Sequence, residues 1–147
     1  MIEITQVDHI GIRVSDADKA LAFYAALGFE VIQVVEFDSV IIIKNKADVE
    51  INLVTNAPSD NDGQNILMDV AEKYPGLTHA AWQVASIKDT LATVKAEGLE
   101  ISQGPVTFGD GHVSVFLRDP DRNVIELRSR EQNMDDIEGL VFYSNEN

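Results

Sequence analysis

Hydrophobic and polar residues alternate along two short stretches of the chain, residues 6–14 and 77–84. In each stretch a histidine, His9 or His79, shares one face with small or polar residues, while isoleucine, valine, alanine or tryptophan occupies the other face. A period of two residues is typical of β-strands. We therefore predict a strand over each stretch, with one apolar and one mixed face.

The same pattern follows each of these strands. A serine, Ser15 or Ser86, stands three residues before an aspartate, which is the spacing of a helix N-cap, and apolar residues then recur with helical periodicity. Each run ends at a glycine, Gly28 or Gly98, which suits the residue just after a helix. We predict one helix over about 16–27 and another from Ser86 until Gly98.

Further runs of strand type complete each half. Three follow the first helix, near 29–36, 39–44 and 48–55. In the second half, the turn formers at 119–121 separate two extended segments, which predicts a hairpin that ends at Leu127. Between the halves, turn formers indicate a linker, with a short helix predicted over 66–74 before a Pro-Gly pair.

The two halves repeat one pattern. His9 and His79 are 70 residues apart, as are the two helix-ending glycines, and after the later turns the offset becomes 74, which places Glu126 opposite Asn52. The chain is therefore predicted to contain two β-α-β-β-β modules. The predicted boundaries are 5–56 and 77–130 for the modules, 57–76 for the linker, 1–130 for the whole domain and 131–147 for an acidic C-terminal tail.

Glu126 is a carboxylate in the middle of an apolar strand, where an unpaired charge costs on the order of several kcal/mol. Two histidines, His9 and His79, occupy repeat-equivalent positions on the first strands. Two His and one carboxylate are the ligands of facial sites for Fe(II), Mn(II) or a similar ion. The alternative is that both histidines are satisfied core residues and that Glu126 pairs with Arg13 or Arg128.

Other polar residues share the face of the candidate ligands. Arg13, Gln83 and Arg128 alternate with apolar neighbours on the same strands, so we expect them to line a pocket and bind substrate. His112 follows Gly-Asp-Gly at a loop-to-strand junction. It is a competing ligand candidate, and the favoured interpretation is a residue on the surface or on the substrate side.

Charge and composition narrow the partners. The 147 residues carry a net charge of −14 with only 11 Lys and Arg, which argues against nucleic acid or an anionic membrane as a partner and leaves small molecules or proteins. There is no cysteine, so disulfides, zinc–thiolate sites and a cysteine nucleophile are excluded. No signal peptide or long apolar run is found, and we expect a cytoplasmic protein.

Four segments together resemble a known family. They are Asp8-His-Ile-Gly-Ile, Ala22-Phe-Tyr24 with Leu27-Gly-Phe29, Leu77-Thr-His79 and Arg118-Asp-Pro-Asp-Arg-Asn-Val-Ile-Glu-Leu127. The pattern, covering about 5–130, is similar to the vicinal oxygen chelate superfamily. That group includes glyoxalase I, methylmalonyl-CoA epimerase, fosfomycin-resistance thiol transferases, extradiol ring-cleaving dioxygenases and the metal-free bleomycin-resistance proteins.

The resemblance implies an α+β fold, in which two paired βαβββ modules form a cup-shaped mixed sheet with helices outside. It implies a divalent metal ion, Fe, Mn, Ni or Zn, held by His9, His79 and Glu126, with Asn52 at the fourth inner-strand position. Modules in this family pair within one chain or across two, and we expect a homodimer.

Three departures from the family bear on the reaction. Asn52 stands where glyoxalase I and the epimerase have a carboxylate, Phe116 where the dioxygenases have a tyrosine, and Gly11 where the fosfomycin enzymes have a hydroxyl residue. An amide is no base at neutral pH.

The resemblance therefore leaves two functions open. The favoured one is a metal-dependent enzyme of lyase, isomerase or dioxygenase type, acting on a small oxygen-bearing substrate that chelates the metal, with Glu126 and Asn52 as candidate catalytic residues. The alternative is a metal-free binding or sequestration protein of bleomycin-resistance type. We favour the enzyme because such binding proteins generally do not keep all three ligands.

Overall fold

The computed structural model describes residues 1–143, which form two α-helices and nine β-strands. In chain order these are β1 (Ile10–Arg13), α1 (Ala17–Ala26), β2 (Glu30–Val35), β3 (Val40–Lys44), β4 (Glu50–Val54), β5 (His79–Gln83), α2 (Ile87–Ala96), β6 (Ile101–Thr107), β7 (His112–Arg118), β8 (Val124–Arg130) and β9 (Val141–Phe142). The β-α-β-β-β order occurs twice, and the predicted α+β class is confirmed.

Each module builds its own sheet. The strand orders are β1-β4-β3-β2 and β5-β8-β7-β6-β9, with β1 parallel to β4 and β5 parallel to β8. Gly11 pairs with Asn52 in the first sheet and Ala81 with Glu126 in the second. Asn52 and Glu126 are therefore equivalent positions, as the repeat predicted.

The apolar faces of the two sheets and their helices form one hydrophobic core. Ile12 and Ile51 from the first sheet and Ile125 and Leu127 from the second are buried in it, together with Tyr24 of α1. Because side chains alternate along a strand, the residues between these positions lie on the opposite face of each sheet. That face carries the polar candidates of both modules.

A buried polar contact ties the first module to the β7–β8 turn. The hydroxyl of Tyr24 donates to Oδ2 of Asp119 at 2.9 Å, and the backbone nitrogen of Ser15 donates to Oδ2 of Asp121 at 3.0 Å. Asp119 is only 3% exposed, and burial raises the pKa of its carboxyl. The turn predicted to build a hairpin therefore also joins the two modules.

The predicted cap of α1 is wrong by one residue. Asp16, not Ser15, is the N-cap, and its Oδ1 accepts a hydrogen bond from the backbone nitrogen of Lys19 at 3.1 Å. Ser15 is instead engaged by the β7–β8 turn. In α2 the expected cap is confirmed, since Ser86 Oγ accepts from the backbone of Asp89 at 3.2 Å.

The helix predicted over 66–74 is also wrong, because this segment consists of turns and bends. Ile66 and Tyr74 are 63% and 54% exposed, so the apolar residues that suggested a helix bury no continuous face. The Asn65 side chain accepts from the backbone nitrogens of Leu67 and Met68, which fixes a local turn.

Asp69 anchors the linker to the second module, and we predict that it makes stability depend on pH. Arg122 donates two hydrogen bonds to its carboxylate, at 2.7 and 3.0 Å, and these lower the pKa of Asp69 from 3.8 to about 2. Because the carboxyl of Asp69 has a lower pKa in the folded than in the unfolded protein, it stabilises the fold at pH values above its unfolded-state pKa. This contribution to stability disappears as the pH falls from about 4 to about 2.

The Asp69→Asn variant should therefore be less stable than the wild type at pH 7, and the difference should vanish near pH 2. Urea unfolding at several pH values measures this. Asp62→Asn, in the same linker, removes the same charge where none of the described arginines forms an ion pair, and should leave the pH dependence unchanged. A difference that persists at pH 2 would contradict this assignment.

The described part of the C-terminal segment, residues 131–143, packs on the second module. Ile137 is buried in the core, and β9 pairs with β6 in parallel. The last four residues of the predicted acidic tail, 144–147, lie outside the described residues. Over residues 1–143, no helix is long and apolar enough to cross a membrane.

Candidate metal centre

The second module brings two of the three candidate ligands together. Glu126 lies in β8 and His79 in the neighbouring strand β5, on the same face. Nε2 of His79 is 3.1 Å from Oε2 of Glu126, and Glu126 is only 6% exposed. A carboxylate and an imidazole nitrogen therefore meet on two rigid paired strands.

The other carboxylate oxygen of Glu126 is held by the neighbouring strand and by a cation. Oε1 accepts a hydrogen bond from Ser114 Oγ at 2.6 Å and lies 3.5 Å from Nη1 of Arg128. The ion pair with Arg128, which was the alternative predicted from the sequence, is thus present beside the contact with His79. Together these groups compensate the buried negative charge.

The ring of His79 is oriented from two sides. A hydrogen bond of 2.9 Å joins its Nδ1 to Oγ1 of Thr78, and the ring packs edge-on against Phe116 with centroids 6.0 Å apart. A partner on one imidazole nitrogen fixes the orientation of the other. Here the other nitrogen is the one that faces Glu126.

His9 lies in a different group of side chains. Its Nδ1 is 2.8 Å from Oδ2 of Asp8, and ligand atoms of Asp8, His9 and Glu50 all lie within 4.8 Å of one another. Over residues 1–143 this is the one group of three or more such side chains that meets this distance. Within one chain, His9 is therefore not grouped with His79 and Glu126.

Glu50 is a polar residue of this face that the sequence analysis missed. It lies in β4 two residues before Asn52, and so on the same face, and Nζ of Lys44 is 3.2 Å from its Oε2. The two-residue period of β4 could have identified it, because Glu50 precedes Asn52 by two residues and therefore lies on the same face. The repeat hid it, because its counterpart in the second module is Val124.

Asn52 carries an unpaired polar atom beside open space. Its Oδ1 is buried and has no hydrogen-bond partner among the described residues. Gly11, its neighbour in β1, has nothing within 4 Å of the position that a Cβ would take. Open space therefore lies beside Gly11, the strand neighbour of Asn52.

Three of the four predicted substrate-binding residues line one small cavity. Gln83, His112 and Arg128 surround about 220 Å³ above β5. Arg13 is not part of this cavity, and its Nε donates to Oδ1 of Asn56 at 3.0 Å. The cavity lies on the face of the second sheet that also carries Glu126.

Comparisons with known proteins agree with this architecture. A curated relative, the glyoxalase domain-containing protein RDO1 of Mycosarcoma maydis, is 27% identical over an alignment of 139 residues, and the alignment covers 87% of this chain and 70% of that protein. An integron cassette protein of V. cholerae is 23% identical with a TM-score of 0.64, over 89% of this chain and 99% of that one. A lactoylglutathione lyase from Agrobacterium tumefaciens is 16% identical with a TM-score of 0.62, over 86% and 95%.

At these identities the two solved structures show a shared fold and nothing about reaction. The family comparison goes further, because residues 6–127 match the sequence model of one superfamily, from before β1 into β8. This match spans most of both modules and includes every candidate ligand. The chain therefore belongs to the Glyoxalase/Bleomycin resistance protein/Dioxygenase superfamily.

Proposed function

We propose that the protein is a metal-dependent enzyme, whose substrate chelates a divalent ion through its oxygen atoms. The observation that carries this proposal is the contact between the buried carboxylate of Glu126 and Nε2 of His79. Members of the superfamily bind small-molecule substrates and generally use a divalent metal. The proposed site is the polar face of the second sheet, next to the small cavity above β5.

The residues present fit such an ion. Carboxylate oxygen and imidazole nitrogen are common ligands of Fe, Mn, Ni and Zn. Ser114 and Arg128 engage one oxygen of Glu126, so the other oxygen and Nε2 of His79, which lie 3.1 Å apart, are the two atoms that would hold the ion. When bound, a divalent ion supplies Lewis-acid polarisation of a substrate oxygen. Arg128 and Gln83, which line the small cavity, would donate hydrogen bonds to the same substrate.

We propose that His9 completes the ligand set from a second subunit. Ligands of one ion lie within about 4.5 Å of each other, because metal–ligand distances are about 2.0–2.2 Å. Within the described chain, His9 does not meet this condition with His79 and Glu126. A homodimer that pairs the first module of one chain with the second module of its partner would bring the three together.

The surface of the first sheet supports such a dimer. Three apolar residues of the edge strand β2, Val31, Ile32 and Val34, are about half exposed. Edge strands with exposed apolar residues favour association with another surface. Covering β2 with a second subunit would bury this apolar area.

The proposed function is tested by asking whether a ligand needs two oxygen atoms to bind the metal. Protein loaded with Co(II) should change its visible absorption spectrum on addition of catechol, which can chelate, and much less on addition of phenol, which cannot. The same titration with apoprotein should show no binding. Equal responses to the two compounds, or binding of catechol without metal, would contradict chelation and favour a metal-free binder.

A metal-free binding protein is the second candidate, and one observation favours it. The charge of Glu126 is already compensated by Ser114, Arg128 and His79 without any ion. A structural role for Glu126 would then suffice. This candidate requires that ligand binding be independent of metal.

Asn52 is proposed to contact the substrate rather than the metal. A carboxamide is a weaker metal donor than a carboxylate, and its buried Oδ1 lacks a partner that a substrate hydroxyl could provide. We expect Asn52→Ala to keep its full metal content and to lower catechol affinity about tenfold, the value of one buried hydrogen bond. Asn133→Ala, at an exposed site, is the control. Loss of metal in Asn52→Ala would make Asn52 a ligand.

The wild-type protein should have little or no glyoxalase activity. Isomerising a hemithioacetal requires a base, and the position equivalent to Glu126 in the first module is the neutral Asn52. Asn52→Glu would add a carboxylate there and is expected to gain trace activity, measured as thioester formation. Wild-type turnover of about 1–1,000 per second would contradict this role of Asn52.

A further inference from the structure

A second cavity lies between the modules and shares residues of β5 with the small cavity beside the candidate metal centre. This cleft encloses about 530 Å³ between the end of α1, the β3–β4 turn, β5 and α2. Apolar residues from both modules line most of it, among them Leu27, Phe29, Val84, Val94 and Leu127. Its volume is in the range of about 300–1,000 Å³ that is typical of small-molecule sites.

The wall of the cleft contains an unsatisfied hydrogen-bond donor. Trp82 lines the cleft, and its Nε1 is buried without a partner among the described residues. The ring is fixed against Phe29, with centroids 5.6 Å apart. A buried N–H without an acceptor is costly, so an acceptor atom on a bound molecule would stabilise it.

The charge of the cleft selects among ligands. Asp89 is the one charged residue among the described residues that line it, and no lysine or arginine does so. An anionic ligand would find no counter-charge there and would be repelled by Asp89. A neutral molecule meets neither obstacle.

We propose that this cleft binds a neutral apolar small molecule that carries one hydrogen-bond acceptor, such as a cyclic or branched ketone, and that Trp82 Nε1 donates to it. Trp82 and Gln83 line both this cleft and the small cavity above β5, but none of His9, His79 and Glu126 lines the cleft. Binding in the cleft therefore requires neither metal nor Glu126.

Two isosteric probes test the proposal at pH 7.5 on metal-free protein. Cyclohexyl methyl ketone should bind, and cyclohexanecarboxylate should bind at least about tenfold more weakly because no cation lines the cleft. Calorimetry gives both affinities. Trp82 is the single tryptophan of the chain, so its fluorescence reports binding beside it.

Variants locate the site and identify the donor. Thr93→Leu, on the exposed side of α2, fills the cleft and should abolish ketone binding, whereas Ala92→Leu on the same helix does not line the cleft and should leave binding unchanged. Trp82→Phe keeps an aromatic ring but removes the donor, and should weaken the ketone about fivefold to tenfold.

Three outcomes would overturn the proposal. The first is no ketone binding at millimolar concentration, and the second is binding that Thr93→Leu does not affect. The third is ketone affinity that falls as the protein concentration is raised into the range where dimers form, which would show that a second subunit fills the cleft.

Discussion

Replacing Glu126 by Gln is expected to lower the affinity for a divalent ion by at least about 100-fold, since even outer-sphere partners of a metal contribute 10–100-fold. The amide keeps the size of the side chain and can still accept from Ser114. It removes the negative charge that the proposed site directs toward His79. Titration of Mn(II) or Co(II) into each protein, followed by calorimetry, measures the change.

Two variants make this result specific. Ser114→Ala leaves the carboxylate in place but removes the hydrogen bond to Oε1, and should lower affinity about tenfold. Glu97→Gln removes an exposed carboxylate after α2 and should have no effect. Thermal unfolding checks that all variants remain folded. Unchanged metal affinity in Glu126→Gln would remove Glu126 from the ligand set.

Mixing two inactive variants is expected to restore metal binding if the site is shared between subunits. His9→Ala and Glu126→Gln each eliminate every site in their own homodimers. After subunit exchange, about half of the dimers are mixed, and each has one site with an intact His9, His79 and Glu126. The mixture should then bind about a quarter of the wild-type metal.

The same mixture separates the two ways in which modules can pair. If His9 reached His79 and Glu126 within its own chain, no combination of these two variants would contain an intact site, and mixing would restore nothing. Light scattering must show dimers before and after exchange. A monomer mass at micromolar concentration would contradict the shared site.

Much of the fold could be predicted because the internal repeat and the two-residue period of the strands both result from burial of side chains in the same core. The two-residue period placed His79 and Glu126 on one face, and the 74-residue offset placed Asn52 and Glu126 in equivalent positions, as the strand pairing confirms. Both signals arise from burial of alternate residues against the helices. They require no knowledge of long-range contacts.

The features that were missed depend on contacts between distant segments. Ser15 satisfies local capping rules, but Asp121, 106 residues away, engages it and the cap moves to Asp16. The turns over 66–74 follow from the anchoring of Asp69 by Arg122. Local sequence shows neither partner, so propensity alone predicted the wrong structure.

Glu50 was missed for a different reason. A comparison of repeat-equivalent positions identifies only polar residues that both modules share. The position equivalent to Glu50 in the second module is occupied by the apolar Val124. Its proximity to His9 appears only once β1 and β4 are paired. Functional residues that belong to one module alone therefore need the fold before they can be seen.

The most direct test of the metal centre is the metal content of the full-length wild-type protein. Purified without chelator, or reconstituted with Fe, Mn, Ni or Zn and then desalted, it should retain about one ion per chain by elemental analysis. Glu126→Gln treated in the same way should retain close to none. A wild-type protein that retains none of the four ions, or a variant that retains as much as the wild type, would contradict the proposed site.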